Sequence, residues 1–508
     1  MQPSNLSHPS MAAVPPAAAA DTAVLRLLGV GAAPCTELAA ALARQPLLRS
    51  LRPARATWLH TCFDSPAHAL AARGITLCVQ DPLDGRAPGP SQLQLVWETA
   101  GTGLLWRRLR IWPWPLQAVR GAEPYAALPV WQTLLAEGLQ PAELEPLCSI
   151  GLRRWHWRLP ASGGLQIWLD DGLACSGGVR QPFVELTLLA PTLAARGHAQ
   201  QLLDELAREA ALLVADRPAA LRALDRAAGR APAAIVPWRS ELPLPQAAQA
   251  VLGSAWRQLH AHLALLPGSD DPQAVHQARV AWRRWRSLWR VLRRELPPPP
   301  GEVASALATL RDALAVLGPL RDLDVARLET LPQWARRQRL DDARLAGALH
   351  RLCLLLADEA RRQRQRLPRT LLRPEVTAAL WTLGGWIERL GQPGSPAAAA
   401  DRDGVAALRR RLRRLHRRMR QTWAAGQSDP NQLHAARILA KRLRYAVEAL
   451  APLLPARKRQ AWAEQARTLQ NRLGAQRDLL RAAELAAAHG APAELVAALQ
   501  ASAAPSRP

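Results

Sequence analysis

Apolar positions change their period partway along the chain. Up to about residue 215 they alternate or form short runs. VLRLLGV (24–30), ITLCVQ (75–80), QLQLVWET (92–99), LRRWHWRL (152–159), LQIWLDDG (165–172) and FVELTLL (183–189) read as strands. CTELAAALAR (35–44), residues 125–146 and His198–Leu213 read as helices. Residues 21–217 therefore predict an α+β domain with a largely antiparallel sheet. A Pro- and Ala-rich linker is expected over 218–245, after which strand signals stop. Gln246–Leu266, Pro272–Leu296, Glu302–Val316, Trp334–Leu367, Arg373–Leu390, Val405–Trp423, Pro430–Leu450 and Ala456–Leu473 all carry a helical period. Breaks fall at Pro297–Pro300 and Gly391–Ala400. The second divides an all-helical region, 246–502, into halves of about 246–390 and 401–502. Residues 1–20, rich in Ser, Pro and Ala, read as a disordered tail.

One helical pattern occurs twice. DPQAVHQARVAWRRWR begins at Asp271, and DPNQLHAARILAKRLR begins 158 positions later at Asp429. Seven of these sixteen positions are identical: Asp271/Asp429, Pro272/Pro430, His276/His434, Ala278/Ala436, Arg279/Arg437, Arg284/Arg442 and Arg286/Arg444. Asp-Pro supplies an N-cap and a first helical residue that needs no amide partner. In the first copy His276, Arg279, Arg283, Arg286, Arg290 and Arg293 share an arc of about 100°. Trp282, Trp285, Leu288 and Trp289 lie opposite and read as core. The second copy sets His434, Arg437, Lys441 and Arg444 against Leu439, Ala440, Leu443, Val447 and Leu450. The rows are almost free of acidic residues at i±4, so the cations repel unless an anion lies on them. A solvated basic face is the ordinary fate of a charge run, but here caps, histidine and cations recur together.

LGPLRDLD (317–324) is echoed by LGAQRDLL (473–480). Arg321–Asp322 and Arg477–Asp478 are expected as structural salt bridges near helix boundaries. A third basic helix, 405–423, turns Val405, Leu408, Leu412, Leu415 and Met419 inward. It offers Arg410, Arg413, Arg417 and Arg420 as a secondary basic surface.

Charge sharpens this picture. Of 66 Lys and Arg against 41 Asp and Glu, residues 1–250 hold a net +3 and residues 251–508 a net +22. An anionic partner is expected for the second part: polyphosphate, nucleic acid or a membrane surface. Lys441 and Lys458 are the only lysines. Arginine holds phosphate oxygens bidentately and stays charged. Six cysteines without zinc spacing read as reduced, small apolar residues of a cytosolic protein. No apolar run long enough to span a bilayer and no signal peptide is expected.

H-x-x-R-V-x-x-R-R-x-R, L-R-D-L-D and H-x-x-R-I-x-x-K-R-x-R-Y together resemble a CHAD domain over roughly 242–500. The resemblance implies two four-helix bundles related by a pseudo-twofold, with a basic groove that takes inorganic polyphosphate. It also implies a cytoplasmic, bacterial protein associated with polyphosphate granules.

The first domain resembles a degenerate CYTH domain of the triphosphate tunnel metalloenzyme type. TCFDSPAHALAARGITLCVQ (61–80), LQIWLDDG and FVELTLLAP carry that likeness. The family's Glu-x-Glu-x-Lys signature falls on TAVLR (22–26), where Thr22 and Val24 replace both glutamates. Cys78 and Gln80 stand for expected arginines, Glu98 for a lysine, Thr187 for an acidic residue and Val214 for a late lysine; Glu185 survives. Such a tunnel needs carboxylates for Mg²⁺ or Mn²⁺ and cations around the phosphates. The expectation is therefore no enzyme activity, no metal and no cofactor.

The leading reading is a polyphosphate-binding protein. His276, Arg279, Arg283, Arg286 and Arg290 would face His434, Arg437, Lys441 and Arg444. The histidines serve either as pH-sensitive phosphate donors or in helix packing. A nucleic-acid-binding protein is the alternative, without a helix-turn-helix, zinc finger or RNP motif behind it. A triphosphate or polyphosphate hydrolase is the third reading, without an acidic cluster, Gly-rich phosphate loop or evident nucleophile.

Overall fold

The computed structural model describes residues 21–31, 33–85, 89–101, 104–116, 125, 128–139, 141–229, 236–267, 269–338, 342–392, 401–426 and 429–503. The tail expected over 1–20 and most of the break expected at Gly391–Ala400 lie outside them. Two units emerge: Met1–Ala210 with Val214–Ala231, and Ala211–Leu213 with Pro232–Pro508.

The first unit comprises β1 (Thr22–Gly29), α1 (Pro34–Arg44), β2 (Ala54–Asp64), α2 (Ala69–Ala72), β3 (Ile75–Pro82), β4 (Gln92–Ala100), β5 (Arg107–Pro115), α3 (Pro129–Ala136), β6 (Glu145–Leu159), β7 (Leu165–Ser176), β8 (Val179–Ala190) and α4 (Leu193–Glu209). After β9 (Leu212–Val214) comes α5 (Ala219–Ala227). Strand order β5-β4-β3-β2-β6-β7-β8-β1 closes through a β1–β5 pairing into an antiparallel barrel. Alternation puts one residue set inside: Val24 and Arg26 on β1, Asp170 on β7, Glu185 and Thr187 on β8. The buried Asp64 carboxylate accepts from the N–H groups of Ser65, Leu70 and Ala71 at 2.8–2.9 Å and fixes the turn into α2.

Several expectations change here. Among the described residues of 125–146, helix is limited to the short α3 and a 3-10 turn at Pro141–Glu143, because the chain from Glu145 pairs with β2. The expected linker 218–245 begins with a helix. α5 buries Leu221, Ala223 and Leu224 in the barrel's core cluster with Ile150 and Leu152. The register also sets Cys62 directly opposite Cys78, and the two form a disulfide. The reading of all six cysteines as reduced fails at this pair. A separation of 16 positions hides the pairing from sequence spacing.

The second unit is all α: α6 (Leu244–Leu263), α7 (Pro272–Leu292), α8 (Gly301–Ala313), α9 (Leu317–Val325), α10 (Leu331–Gln338), α11 (Ala343–Leu371), α12 (Pro374–Leu390), α13 (Asp401–Ala425), α14 (Pro430–Ala449), α15 (Ala456–Ala488) and α16 (Ala493–Ala503). Both copies of the repeat are capped alike. Asp271 accepts from Gln273 N at 2.8 Å, and Asp429 from Asn431 N at 2.9 Å. α6, α7, α8 and α12 pack together, as do α13, α14, α15 and α16. The tryptophans of α7 are core: Trp285 is 1% exposed, and Trp289 meets Trp386 of α12 edge-on. Trp256 of α6 donates to Leu380 O at 2.9 Å. A Cβ at Gly384 would stand 2.5 Å from the Trp256 ring, so only glycine lets α6 and α12 approach this closely.

Two helix expectations fall short. Gly301–Gln338 is one continuous helical run, joined through a 3-10 turn and a π turn, with α11 separate. Pro319 falls in the first turn of α9, where its missing N–H costs little. Likewise α15 runs on to Ala488 through Gly474. The two L-G-x-x-R-D elements therefore lie within helical runs, not at boundaries. Joined, Gly301–Gln338 contains a window long and apolar enough, by length and composition, to cross a membrane; sequence breaks had hidden that run. Its α8 portion packs on α12, and its α9 portion on α7 and α11.

Candidate functional site

α7 and α14 meet within the second unit, and their cationic faces converge on one groove. Arg279, Arg283, Arg286 and Arg290 line it from α7. His434, Arg437, Lys441 and Arg442 line it from α14, and Arg477 from α15. Ser287 and Ile438 complete a cavity of about 270 Å³. Of the expected residues, Arg444 stands outside this lining. Its guanidinium lies 4.7 Å from the Tyr445 ring centroid, and Arg442 takes the groove position instead. His276 is also outside the lining and half-buried beside Arg321 and Arg283.

Tyr445, fully buried, organises the crossing. Its hydroxyl accepts from Arg283 Nε at 3.1 Å and Nη2 at 2.9 Å. The Arg283 and Arg284 guanidiniums lie 5.7 and 5.3 Å from its ring. Arg284 turns away to Gln258 and Glu448. The Tyr at the end of the second motif was the sequence signal for this residue.

The repeated Arg-Asp elements act across helices. Asp322 receives Arg279 at 3.4 Å and Arg481 at 3.2 Å, while Arg321 reaches Glu329. Asp478 stands 3.9 Å from Arg437, and Arg477 Nη1 donates to His434 Nδ1 at 3.3 Å. The expected salt bridges within each Arg-Asp pair are thus replaced by bridges to the repeat helices. Arg279 also donates to Gly318 O at 2.9 Å.

Burial and crowding weaken the charged forms. Burial, then Arg321 and Arg283, push His276 down to about 4. Burial and the neighbouring Arg477 and Arg437 lower His434 too. Lys441 is pushed down to about 7 by burial, then by Arg283, Arg437 and Arg279. Burial lowers Arg437 and raises Asp478, so at 3.9 Å their mutual attraction does not repay desolvation. Such a set is relieved by an anion that supplies the missing countercharge.

A second cavity, about 940 Å³, shares Arg290 and Arg442 with the groove. Arg293, Arg294, Arg411, Arg414, Arg417 and Arg418 add to its lining. Of the expected secondary surface, Arg417 belongs here. Arg420 lines a different pocket with Trp423 and Arg472, and Arg410 and Arg413 are exposed outside both. The inward stripe Leu408, Leu412, Leu415 and Met419 sets this rotation, which a count of arginines could not.

The barrel interior is different. Arg26 pairs with Glu98 and Glu185, Arg107 with Glu98, and Arg222 with Glu185. Arg154 holds Asp170 bidentately at 2.7 and 2.8 Å. Val24 joins Leu109, Leu189, Val96, Ile111 and Trp168 in an apolar cluster. A cavity of about 110 Å³ is left, lined partly by His60, Gln80 and Gln94. Burial pushes His60 down to about 3. The interior carboxylates are taken by guanidiniums, so these residues do not fit a divalent cation. Among the described residues no group of three or more His, Cys, Asp or Glu side chains is placed to hold a metal ion.

Comparisons with known proteins follow the same division. A search of curated proteins returns no match. The CHAD domain of the plant Ricinus communis is similar at 27% identity, covering 54% of this chain and 89% of its own, with a TM-score of 0.45. A Hippeastrum protein, described as an adenylyl cyclase with dominant triphosphatase activity, is similar at 16% identity, covering 41% and 96%, with a TM-score of 0.29. A Bacillus halodurans protein described as an adenylate cyclase candidate is similar at 12% identity, covering 36% and 88%, with a TM-score of 0.25. The family model for the CHAD domain matches residues 250–487, within the helical unit.

Proposed function

We propose that the helical unit binds inorganic polyphosphate in the groove between α7 and α14. The observation that carries this reading is the convergence of two repeated cationic helix faces on one cavity. Successive cations along each helix are about 5–6 Å apart by the 1.5 Å rise, a spacing a flexible phosphate chain follows. The adjoining arginine-lined cavity prolongs the track and favours a long linear polyanion over a single phosphate. Duplex DNA, with a persistence length of about 50 nm, is too stiff to thread a crossing of two helices.

The test is calorimetry or filter retention with long-chain polyphosphate, then competition against duplex DNA at modest salt. Polyphosphate should displace DNA, and both should weaken as salt rises, because counterion release drives each. DNA that holds its place would favour the nucleic-acid reading.

We read the barrel as non-catalytic, on the strength of its compensated interior charges. The full chain should release no phosphate from tripolyphosphate or ATP with Mg²⁺ or Mn²⁺; metal-dependent turnover would overturn this part. In the cell the protein would be cytoplasmic, on polyphosphate granules, which a fluorescent fusion tests.

A further inference from the structure

The chain uses arginine almost everywhere it needs a cation, with two exceptions. Lys458 is exposed in the first turn of α15. Lys441 sits half-buried in the groove, at the repeat position that Arg283 fills in the other copy. An amine differs from a guanidinium in one chemical respect that matters here. It can shed a proton and become a nucleophile, whereas arginine stays protonated.

The surroundings of Lys441 favour that. Arg279 and Arg283 face it from α7, Arg437 and His434 share its own helix, and Asp478 approaches from α15. Burial and these cations push its amine down to about 7, which brings its proton loss into the neutral range. An ordinary exposed lysine is unprotonated to only about four parts in ten thousand there. The arginines are bidentate phosphate ligands; a docked phosphate offsets their part of the lowering, while burial, its largest cause, remains.

We propose that Lys441 is an acylation site for small acyl phosphates, whose phosphate docks on the groove arginines and whose acyl carbon meets the amine. This rests on reading the groove as a phosphate site. In the step, the amine nitrogen attacks the acyl carbon and an N–C bond forms. The bond from acyl carbon to phosphate oxygen breaks, and inorganic phosphate leaves with the proton the nitrogen gives up. Nothing is oxidised or reduced. The guanidiniums around the leaving phosphate stabilise its developing charge. The resulting amide is neutral and bulkier, so the modification removes a positive charge from the middle of the groove and opposes polyanion binding.

The probe is acetyl phosphate, added to the full-length protein at pH 7, with acetylation at Lys441 and Lys458 followed by peptide mass spectrometry. Lys458 is the internal control, and a Lys441→Arg variant should lose the Lys441 label. Lys441 should react on the order of tenfold faster than Lys458 or more. Acetic anhydride, which carries no phosphate, should show a smaller preference. Equal rates at the two lysines would overturn the proposal, and so would equal preferences for the two reagents. Added long-chain polyphosphate should slow Lys441 alone. Selective acetylation that polyphosphate fails to slow would count against polyphosphate in the groove and leave acylation standing. Unselective acetylation beside intact polyphosphate binding would do the reverse.

Discussion

Inside the barrel, Arg26, Arg154 and Arg222 each end on a carboxylate. In the groove of the helical unit, Arg283 ends on a tyrosine hydroxyl, and Arg286, Lys441 and Arg442 are crowded by other cations. The residue type is shared, but in the groove carboxylates approach only at its edge, where Asp322 meets Arg279 and Asp478 stands near Arg437. A buried arginine matched by a carboxylate is a structural element, because its charge is already spent. A buried arginine set among cations is a binding element, because the molecule is relieved when an anion arrives. Net charge alone does not separate the two cases.

The largest effect should come from inverting the groove. Arg283→Glu with Lys441→Glu removes two cations from the crossing of α7 and α14 and adds two anions. Each lost charge-assisted contact is worth about 1.5–3 kcal/mol, so polyphosphate affinity should fall roughly 100-fold or more. Helical circular dichroism should hold, since both side chains lie away from the tryptophan core. Arg410→Glu with Arg413→Glu, exposed outside both cavities, should cost less than about fivefold. Equal losses from the two pairs would show a diffuse polycation and erase the contrast with the barrel.

Breaking the barrel's compensation should act on stability instead. Arg154→Met leaves Asp170 buried without its bidentate partner. Removing one side of a buried pair costs about 3–5 kcal/mol, to be read by chemical denaturation. Polyphosphate affinity should not change. A loss of affinity in this variant would mean that the barrel's arginines bind anions too.

The duplicated helix was legible because three signals coincided: Asp-Pro caps, a tryptophan face and a cation row. In the structure Arg279, Arg283, Arg286, Arg290, His434, Arg437 and Lys441 of these two rows line one cavity. Arg444 was misplaced because α7 and α14 do not present equivalent edges. Ser287 faces the groove where its repeat counterpart Tyr445 is buried, and Arg442 comes forward instead. That rotation depends on packing against α13 and α15, which no periodicity encodes. Helix limits at Gly318 and Gly474 were misread because glycine and proline signal breaks locally, while tertiary packing carries the helices through. The Cys62–Cys78 disulfide depended on a strand register that only the folded sheet reveals.

Tyr445→Phe sharpens the comparison at a single atom. It removes the hydroxyl that accepts twice from Arg283 and leaves the ring in place. Arg283 would lose its fixed position but not its charge. Stability should fall by about 1.5–3 kcal/mol, the scale of hydrogen bonds to charged groups. Polyphosphate affinity should fall only severalfold, because a mobile guanidinium still finds phosphate. A loss as large as that of the double reversal would show that positioning, more than charge, makes the site.

The smallest chemical change is a proton. In the free protein Lys441 gives up its proton near pH 7, whereas the unfolded chain keeps it into the ordinary lysine range. Between those limits the unfolded state holds more protons, so the contribution to folding stability rises with pH. Polyanion binding runs the other way. Bound phosphates favour the ammonium and raise its pKa, so binding takes up a proton. That gain is full below about pH 7 and is lost as pH climbs through the pKa of the bound state. A weakening of about tenfold between pH 6 and pH 9, or about 1.4 kcal/mol, is the expected size. Calorimetry in buffers of different ionisation enthalpy should register the uptake directly. His276, held at about 4, and the lowered His434 would contribute only toward acid pH, which separates them from Lys441. Lys441→Arg should remove the uptake between pH 7 and 9 and leave any acidic limb in place. Uptake that survives this substitution would assign the proton elsewhere and take Lys441 out of the centre of the groove.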